Sequence, residues 1–223
     1  MSARRHVITD LAVRAARMEL RIYESLWRAV ARRPKIDEGA TGFAYHRPVL
    51  TILIIFMAVS AVEIPIIDAV VHRWTPVRIA FLVLGIWGLT WMIGLLCAYF
   101  TRPHTVGDDG IIVREGLEIE IPVSWEEFGA IRYAPLTQES IDPTSTDKPG
   151  RVFQYEGERV GAIWVGSETN LAIEFEAPLE VDLPGRPPKG GGHAIDVLRF
   201  WADDPEALLA EVRRRLDARR DRS

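Results

Sequence analysis

Polar and apolar positions divide the chain into stretches with different periods. Between residues 7 and 33, apolar side chains recur every three or four positions, which predicts an amphipathic helix ended by Pro34. Residues 48–71 and 77–100 are almost continuously apolar. Beyond residue 100 the pattern changes to short segments with a period of two, typical of half-buried strands. The pattern therefore predicts an α+β protein with an amphipathic helix, a helical hairpin and a β-rich domain.

Each apolar run holds 24 residues, and about 20 helical residues are enough to cross a bilayer. Only five residues, His72 to Pro76, join the two runs, so the helices must be antiparallel. We expect a transmembrane hairpin in residues 47–101, a basic amphipathic helix and linker in residues 1–46, and a soluble domain in residues 102–223. The alternative, two buried helices of a soluble protein, is disfavoured by the length of the apolar runs.

Charge is unevenly distributed along the chain. Residues 1–47 carry ten Arg or Lys against five Asp or Glu, whereas residues 101–223 carry fifteen against twenty-four. The positive-inside rule then places both termini on the cytoplasmic side of the inner (plasma) membrane. Since binding to nucleic acid needs clustered cations, the acidic C-terminal domain makes nucleic acid an unexpected partner.

The N-terminal helix has a basic side and an apolar side. Next to the cytoplasmic end of a span, such a helix fits an anionic bilayer surface, with its arginines at the headgroups. The alternative is that its apolar face packs against the soluble domain or a second copy. That face consists of Leu11, Ala15, Met18, Ile22, Leu26, Ala29 and Val30. The predicted membrane-surface residues are Arg14, Arg17, Arg21, Arg28 and Arg32.

Two carboxylates lie in the first span and form the predicted intramembrane partner or proton site. Asp68 falls near the outer interface, where Arg78 is the expected ion-pair partner, with Arg73 and His72 as alternatives. Glu63 lies about 22 Å along the helix, at hydrocarbon depth. An ionised carboxylate there costs at least a few kcal/mol, so we expect Glu63 to face a partner helix or to take a proton.

The second span contains three glycines and a hydroxyl that bear on this site. Thr90 is a neighbouring hydroxyl to which Glu63 would be able to hydrogen-bond. Gly85, Gly88 and Gly94 are expected to leave one side of the helix without side chains and so to allow close helix contact.

The C-terminal domain is predicted to contain seven short strands and a closing helix. Asp204 suits the N-cap of that helix and Pro205 its first position. Ser124 and Glu127 have the spacing of a capping box. Residues 138–150 and 178–192 are interpreted as loops. The predicted strands are Gly110–Arg114, Leu117–Ile121, Ala130–Tyr133, Val152–Tyr155, Val160–Val165, Leu171–Phe175 and Ala194–Phe200.

The stretch RPHTVGDDGIIVREGLEIEIPVSWEEFGAIRY resembles bacterial pleckstrin-homology-like domains that follow transmembrane hairpins. The hairpin resembles that of uncharacterised bacterial, and more narrowly actinobacterial, two-helix membrane proteins that carry a Glu-x-Pro-x-x-His segment, and the resemblance covers about residues 48–216. Glu63 and Pro65 match this segment, but Asp68 stands in place of its histidine. The resemblance implies a PH-like antiparallel β-barrel or sandwich closed by the C-terminal helix. It implies no activity.

The sequence contains no motif for a nucleophile, a metal centre or a phosphate-binding loop, and Cys97 is its only cysteine. We therefore expect no catalytic residues, no metal and no cofactor. The favoured hypothesis is a non-enzymatic membrane protein whose PH-like domain binds a protein partner or serves as a scaffold, while the hairpin docks through Glu63 or self-associates. The alternative is an oligomer of hairpins that forms a proton or ion path through Glu63.

Overall fold

The computed structural model describes residues 2–141, 150–185 and 190–222, with the side chains of the first helix described from residue 13 onward except that of Arg14. The chain forms two compact units. The helical unit comprises Met1–Pro34 and Val49–Thr101, and the β unit comprises Lys35–Pro48 and Arg102–Ser223.

Three long helices form the helical unit: α1 (Ser2–Val30), α2 (Arg47–Val70) and α3 (Thr75–Thr101). The two apolar helices, α2 and α3, are long enough to cross a bilayer, in agreement with the sequence. None of the residues of α2 is buried, and those of α3 that are buried are Gly94, Ala98 and Thr101. An apolar surface of this size is not stable in water, so lipid or a partner must cover it.

The helices α1 and α2 contact opposite sides of α3. A Cβ added at Gly85 would lie 2.8 Å from Cγ1 of Ile64 on α2, and a Cβ added at Gly94 would overlap Ile22 on α1. Nine residues at about 100° each separate the two glycines by a half-turn. Gly88 faces open space. The expectation that the three glycines share one side is therefore wrong: two of them serve two different helix contacts.

The first sheet of the β unit is antiparallel, in the order β1 (Thr41–Phe43), β2 (His104–Val106), β3 (Gly110–Glu115) and β4 (Ile119–Ser124). The strand β1 comes from the segment that we interpreted as a linker. Its three residues become a strand only because β2, more than sixty residues later, pairs with it, and local periodicity does not reveal such a partner.

The second sheet has the order β5-β8-β9-β7-β6. Its strands are β5 (Phe128–Thr137), β6 (Val152–Tyr155), β7 (Glu158–Ala162), β8 (Glu168–Leu183) and β9 (Gly191–Phe200). A four-residue helix, α4 (Gln138–Ile141), follows β5. The prediction of an all-antiparallel domain is wrong here, because the β6–β7 hairpin is inserted before β8 and brings β7 alongside β9 in parallel.

Neither sheet closes into a barrel, which corrects the barrel form of the prediction. Ser124 and Glu127 make the reciprocal capping-box hydrogen bonds, at 3.0 and 3.3 Å, across the turn at which the chain leaves the first sheet for the second. The edge strands β4 and β5 therefore follow each other in sequence without pairing.

The loop predicted at residues 178–192 is also partly wrong. The strand β8 runs on to Leu183 after a bulge between Glu174 and Leu179, and Pro178 lies within that irregularity. Residues 186–189 of this predicted loop, and residues 142–149 of the other, lie outside the described residues.

The C-terminal helix α5 (Pro205–Arg220) begins as predicted, with the carboxylate of Asp204 accepting a hydrogen bond of 3.0 Å from the backbone N–H of Ala207. Leu208 and Val212 of α5 are fully buried. They share one hydrophobic core with Val113 of the first sheet and Ile173 of the second. Burial of the inner faces of both sheets against this helix stabilises the β unit.

We predict that Gly94→Ala weakens the contact between α1 and α3. The added methyl group would overlap Ile22, and overpacking of this kind costs about 1–3 kcal/mol. Hydrogen exchange of the α1 amides should become faster. The matched control is Gly88→Ala, which places its methyl group in open space and should leave the exchange of α1 unchanged. Equal protection of α1 in both variants would contradict this packing.

Candidate functional site

Asp68 and Arg78 form an ion pair across the link between α2 and α3. Nε of Arg78 lies 2.5 Å from Oδ1 of Asp68, and Nη2 lies 2.9 Å from Oδ2. The two side chains meet because the link is short and the helices are antiparallel. The bidentate pair neutralises the acid at the end of the hairpin.

Glu63 has no such partner: its side chain is exposed and makes no hydrogen bond or ion pair with another described residue. The hydroxyl of Thr90, a candidate partner from the sequence, donates to the carbonyl of Ile86 at 2.8 Å instead. The side chain of the adjacent residue, Ile64, packs on Gly85. The structure therefore separates the two acids into one paired within the chain and one left open.

The helix α1 packs along α3 and runs in the same direction. Nε1 of Trp87 donates a 2.8 Å hydrogen bond to Oε1 of Glu19, and Ile22 lies against Gly94. The residue number increases on both helices from the first contact to the second, so α1 and α3 are parallel. The apolar face predicted for α1 is thus used in part within the chain, with Ile22 buried, whereas Val30 is 77% exposed.

The predicted membrane-surface arginines differ in their surroundings. Arg28 pairs with Glu24 at 2.8 Å, whereas Arg17 is exposed without a hydrogen bond or ion pair to any described residue. Arg21 is half-buried, and Arg32 follows the end of α1 with a positive φ of 52°. The side chain of Arg14 lies outside the described residues. Their binding to headgroups stays a prediction.

A second cluster, which the sequence analysis missed, lies in the β unit around His104. This residue is fully buried and stacks on Tyr45, with ring centroids 4.5 Å apart. Its Nδ1 accepts from the backbone N–H of Arg114 at 3.0 Å, so its Nε2 must carry the proton that it donates to the carbonyl of Trp201 at 2.8 Å. Burial lowers the pKa of His104 to about 4, and the imidazole is neutral.

Arg114 is buried beside this histidine and joins segments from both parts of the β unit. Its guanidinium donates to the carbonyls of Pro103 and Lys35 at 3.0 and 3.1 Å, and to the carboxylate of Glu120 at 3.2 Å. Glu120 also accepts from Lys35 at 2.6 Å and from Arg102 at 3.1 Å. Although burial alone would raise it, the hydrogen bonds from Lys35 and Arg114 hold the pKa of Glu120 below its usual value.

Asp203 holds the start of α2. Its carboxylate accepts from the backbone N–H groups of His46 and Arg47, each at 3.1 Å, and from Nε1 of Trp201 at 3.0 Å. It thereby satisfies two donors at the N-terminus of α2, which favours a negative charge. The segment 201–203 thus binds the chain both just before α2 and just after α3.

These residues were missed because nothing local marks them. His104 and Trp201 are 97 positions apart, and His46 and Asp203 are 157 apart. The available signal was weak: a histidine and an arginine, His104 and Arg114, in strands of otherwise apolar character. Such residues are rarely buried without a partner.

The hydrogen bonds of His104, Arg114 and Asp203 position chain segments, and they form no arrangement typical of a catalytic or metal site. Among the described residues, no group of three or more His, Cys, Asp or Glu side chains is placed to hold a metal ion. A cavity of about 430 Å³ beside β2, β3 and β4 has Asp37, Glu38, Asp108 and Asp109 in its lining. Such a rim repels phosphate.

No protein-family model, curated protein or solved structure matches this chain. The resemblance to bacterial PH-like membrane proteins therefore stays a prediction.

We predict that the β unit loses stability in acid through His104. The pKa of the histidine is near 6.5 when unfolded and about 4 when folded, so between these values the unfolded chain binds more protons. The stabilisation is present above pH 6.5 and is lost as the pH falls towards 4. Between pH 7 and pH 5 the loss from this residue is about 2 kcal/mol.

Pulse proteolysis in urea on the detergent-solubilised chain measures this loss. His104→Gln keeps a donor and an acceptor but does not titrate, and it should reduce the pH dependence. His193→Gln, in the same unit, is the control and should retain it. The same slope in His104→Gln and wild type would contradict the assignment.

Proposed function

We propose that this protein is a non-enzymatic, membrane-anchored assembly module. Its hairpin docks to a partner helix through Glu63, and its β unit acts as a protein-binding or scaffolding domain. The observation that carries the proposal is the position of Glu63: an acid with no partner among the described residues, on a helix whose residues are all unburied.

The membrane part of the proposal rests on the exposed apolar surface of α2 and α3. A bilayer covers such a surface, but it does not provide a hydrogen-bond donor for a carboxylate at hydrocarbon depth. Asp68 obtains its donor from Arg78 within the chain. Glu63 needs a donor from outside the hairpin or has to be protonated, and a docked helix would satisfy it.

The pairing of β1 with β2 supports a hairpin whose two ends lie on one side of the membrane. Phe43 is directly opposite His104, and α2 and α3 form the connection between these two residues. Opposed residues in an antiparallel ladder are about 5 Å apart. With the basic residues before α2, this supports an orientation with both termini in the cytoplasm of a bacterial cell.

A PH-like role for the β unit is supported by its two sheets, its common core and the closing helix α5. The parallel β7–β9 pair and the contribution of β1 from before the hairpin depart from the simple antiparallel pattern. Edge strands β4 and β6 offer unpaired backbone groups, which a protein partner is able to extend by β-augmentation.

An ion path through Glu63 has less support. Two helices enclose no path, and the other acid of α2, Asp68, is already neutralised by Arg78. Proton or ion flux in proteoliposomes, abolished by Glu63→Leu, would favour that alternative.

We predict that Glu63→Leu reduces the partner protein recovered with the chain, or a second tagged copy of it, at least tenfold, which corresponds to about 1.4 kcal/mol. Leucine removes the group to which the partner's donor binds. The measurement is gentle purification from native membranes, followed by quantitative mass spectrometry of each recovered protein.

The matched control is Val62→Leu, because Val62 is the neighbouring residue and is exposed without a charge. It should retain the full set of associated proteins. Recovery of the same proteins, in the same amounts, with Glu63→Leu and with wild type would refute docking through Glu63.

A further inference from the structure

The three helices of the helical unit form a layer with α3 in the middle. Arg78, Gly85 and Met92, spaced by seven residues, contact α2, whereas Trp87 and Gly94, also spaced by seven, contact α1. Nine residues separate Gly85 from Gly94, so the two contact faces are opposite each other. Packed helices lie about 8–10 Å apart, and α1 and α2 are therefore about 16–20 Å apart.

Glu63 and Arg17 lie at the same level of this layer. Glu63 adjoins Ile64, which packs on Gly85. Arg17 precedes Glu19 by two residues, and Glu19 binds Trp87, which follows Gly85 by two residues. Since α1 and α3 run in the same direction, both charges lie within about one helical turn of the level of Gly85.

Both side chains also project from the same face of the layer. At about 100° per residue, Glu63 points about 100° away from the side of α2 that contacts α3. Arg17 points about 140° away from the side of α1 on which Ile22 meets α3. Because α2 runs opposite to α1, these rotations turn both side chains to the same side of the layer, Glu63 close to the normal of the face and Arg17 between that face and the outer edge. The helix α3 lies between them, so they do not pair within one copy.

Two opposite charges thus occupy one face of the layer, at one level, without a partner among the described residues. The level is that of Gly85, ten residues into α3 and about 15 Å from its start. A charge at that depth of a bilayer is strongly unfavourable unless it is paired. Glu63 and Arg17 carry opposite charges, and each side chain is a suitable ion-pair partner for the other.

We propose that the helix that meets Glu63 is α1 of a second copy of this chain. Two layers face each other about a two-fold axis along the membrane normal, so that Glu63 of each copy pairs with Arg17 of the other. The rotation places α2 opposite the second copy's α1 on both sides and forms two identical ion pairs. The inference rests on the proposed docking through Glu63 and names the partner.

Charge exchange tests the pairing directly. Full-length copies, labelled near the C-terminus with donor or acceptor fluorophores, are reconstituted in phosphatidylcholine–phosphatidylglycerol vesicles. Energy transfer is followed as the protein is diluted in lipid. Glu63→Arg alone and Arg17→Glu alone should each shift the dissociation midpoint at least tenfold towards higher protein density, since each places like charges together.

A mixture of these two single variants should restore association, because each hetero-pair then contains one arginine and one glutamate at both contacts. Recovery in the mixture also shows that the variants are folded. Arg28→Glu is the control, because Arg28 already pairs with Glu24 and lies eleven residues from Arg17. It should leave the midpoint unchanged.

A monomeric wild type, or an Arg17→Glu variant that associates as wild type does, would overturn this inference. In that case, recovery of a foreign protein with the wild type and its loss with Glu63→Leu would leave the proposed function standing, with the foreign protein as the partner. If no Glu63 variant changes either self-association or recovered protein, both proposals are refuted.

Discussion

The pairing of β1 with β2 is the constraint on which the rest of the structure depends. It brings Phe43 opposite His104 and thereby closes a loop that contains both apolar helices. A three-residue ladder is too short to hold such a loop alone. The buried hydrogen bonds of His104 and Arg114, together with the carboxylate of Asp203 on the first turn of α2, secure the two ends. Neutral His104 therefore helps to join the two segments of the β unit.

In the proposed membrane setting, the helical unit is subject to a second constraint, the free-energy cost of charge in hydrocarbon. At the link, Asp68 and Arg78 satisfy it within one chain. At the level of Gly85 it is not satisfied within one chain, because α3 separates the basic side of α1 from the acid of α2. The same arginine, Arg17, is not available at once to a headgroup and to a carboxylate beside α3. In the proposed dimer, the packing of α1 along α3 places Arg17 at the carboxylate of Glu63 of the second copy.

Features set by neighbouring residues could be predicted from the sequence. The two long apolar helices, the start of α5 at Pro205 and the strand Val152–Tyr155 follow from local periodicity and capping chemistry. The ion pair of Asp68 with Arg78 was within reach because ten residues and a tight link separate them. Pairings between distant segments could not be predicted in this way, and β1 is an example. The parallel β7–β9 pair was missed because alternation identifies a strand but not its neighbour.

The spacing of the glycines of α3 contains more information about the candidate site than local periodicity does. Gly85 and Gly94 are nine residues apart, which by helix geometry alone places them on opposite sides. What the sequence does not reveal is which helix uses each of them. Only when Ile22 and Ile64 are assigned to these two glycines do the directions of Arg17 and Glu63 follow.

The same geometry selects a closed assembly over an open one. Had the acid and the base pointed from the two edges of the layer, each contact would leave a free edge and copies would add head to tail. Glu63 and Arg17 point to the same side of the layer, so in the proposed dimer a single two-fold contact pairs these two residues in both chains. It leaves no unpaired acid in α2 to recruit a third copy. A dimer, with its outer faces covered by lipid, is the smallest assembly that meets the constraint.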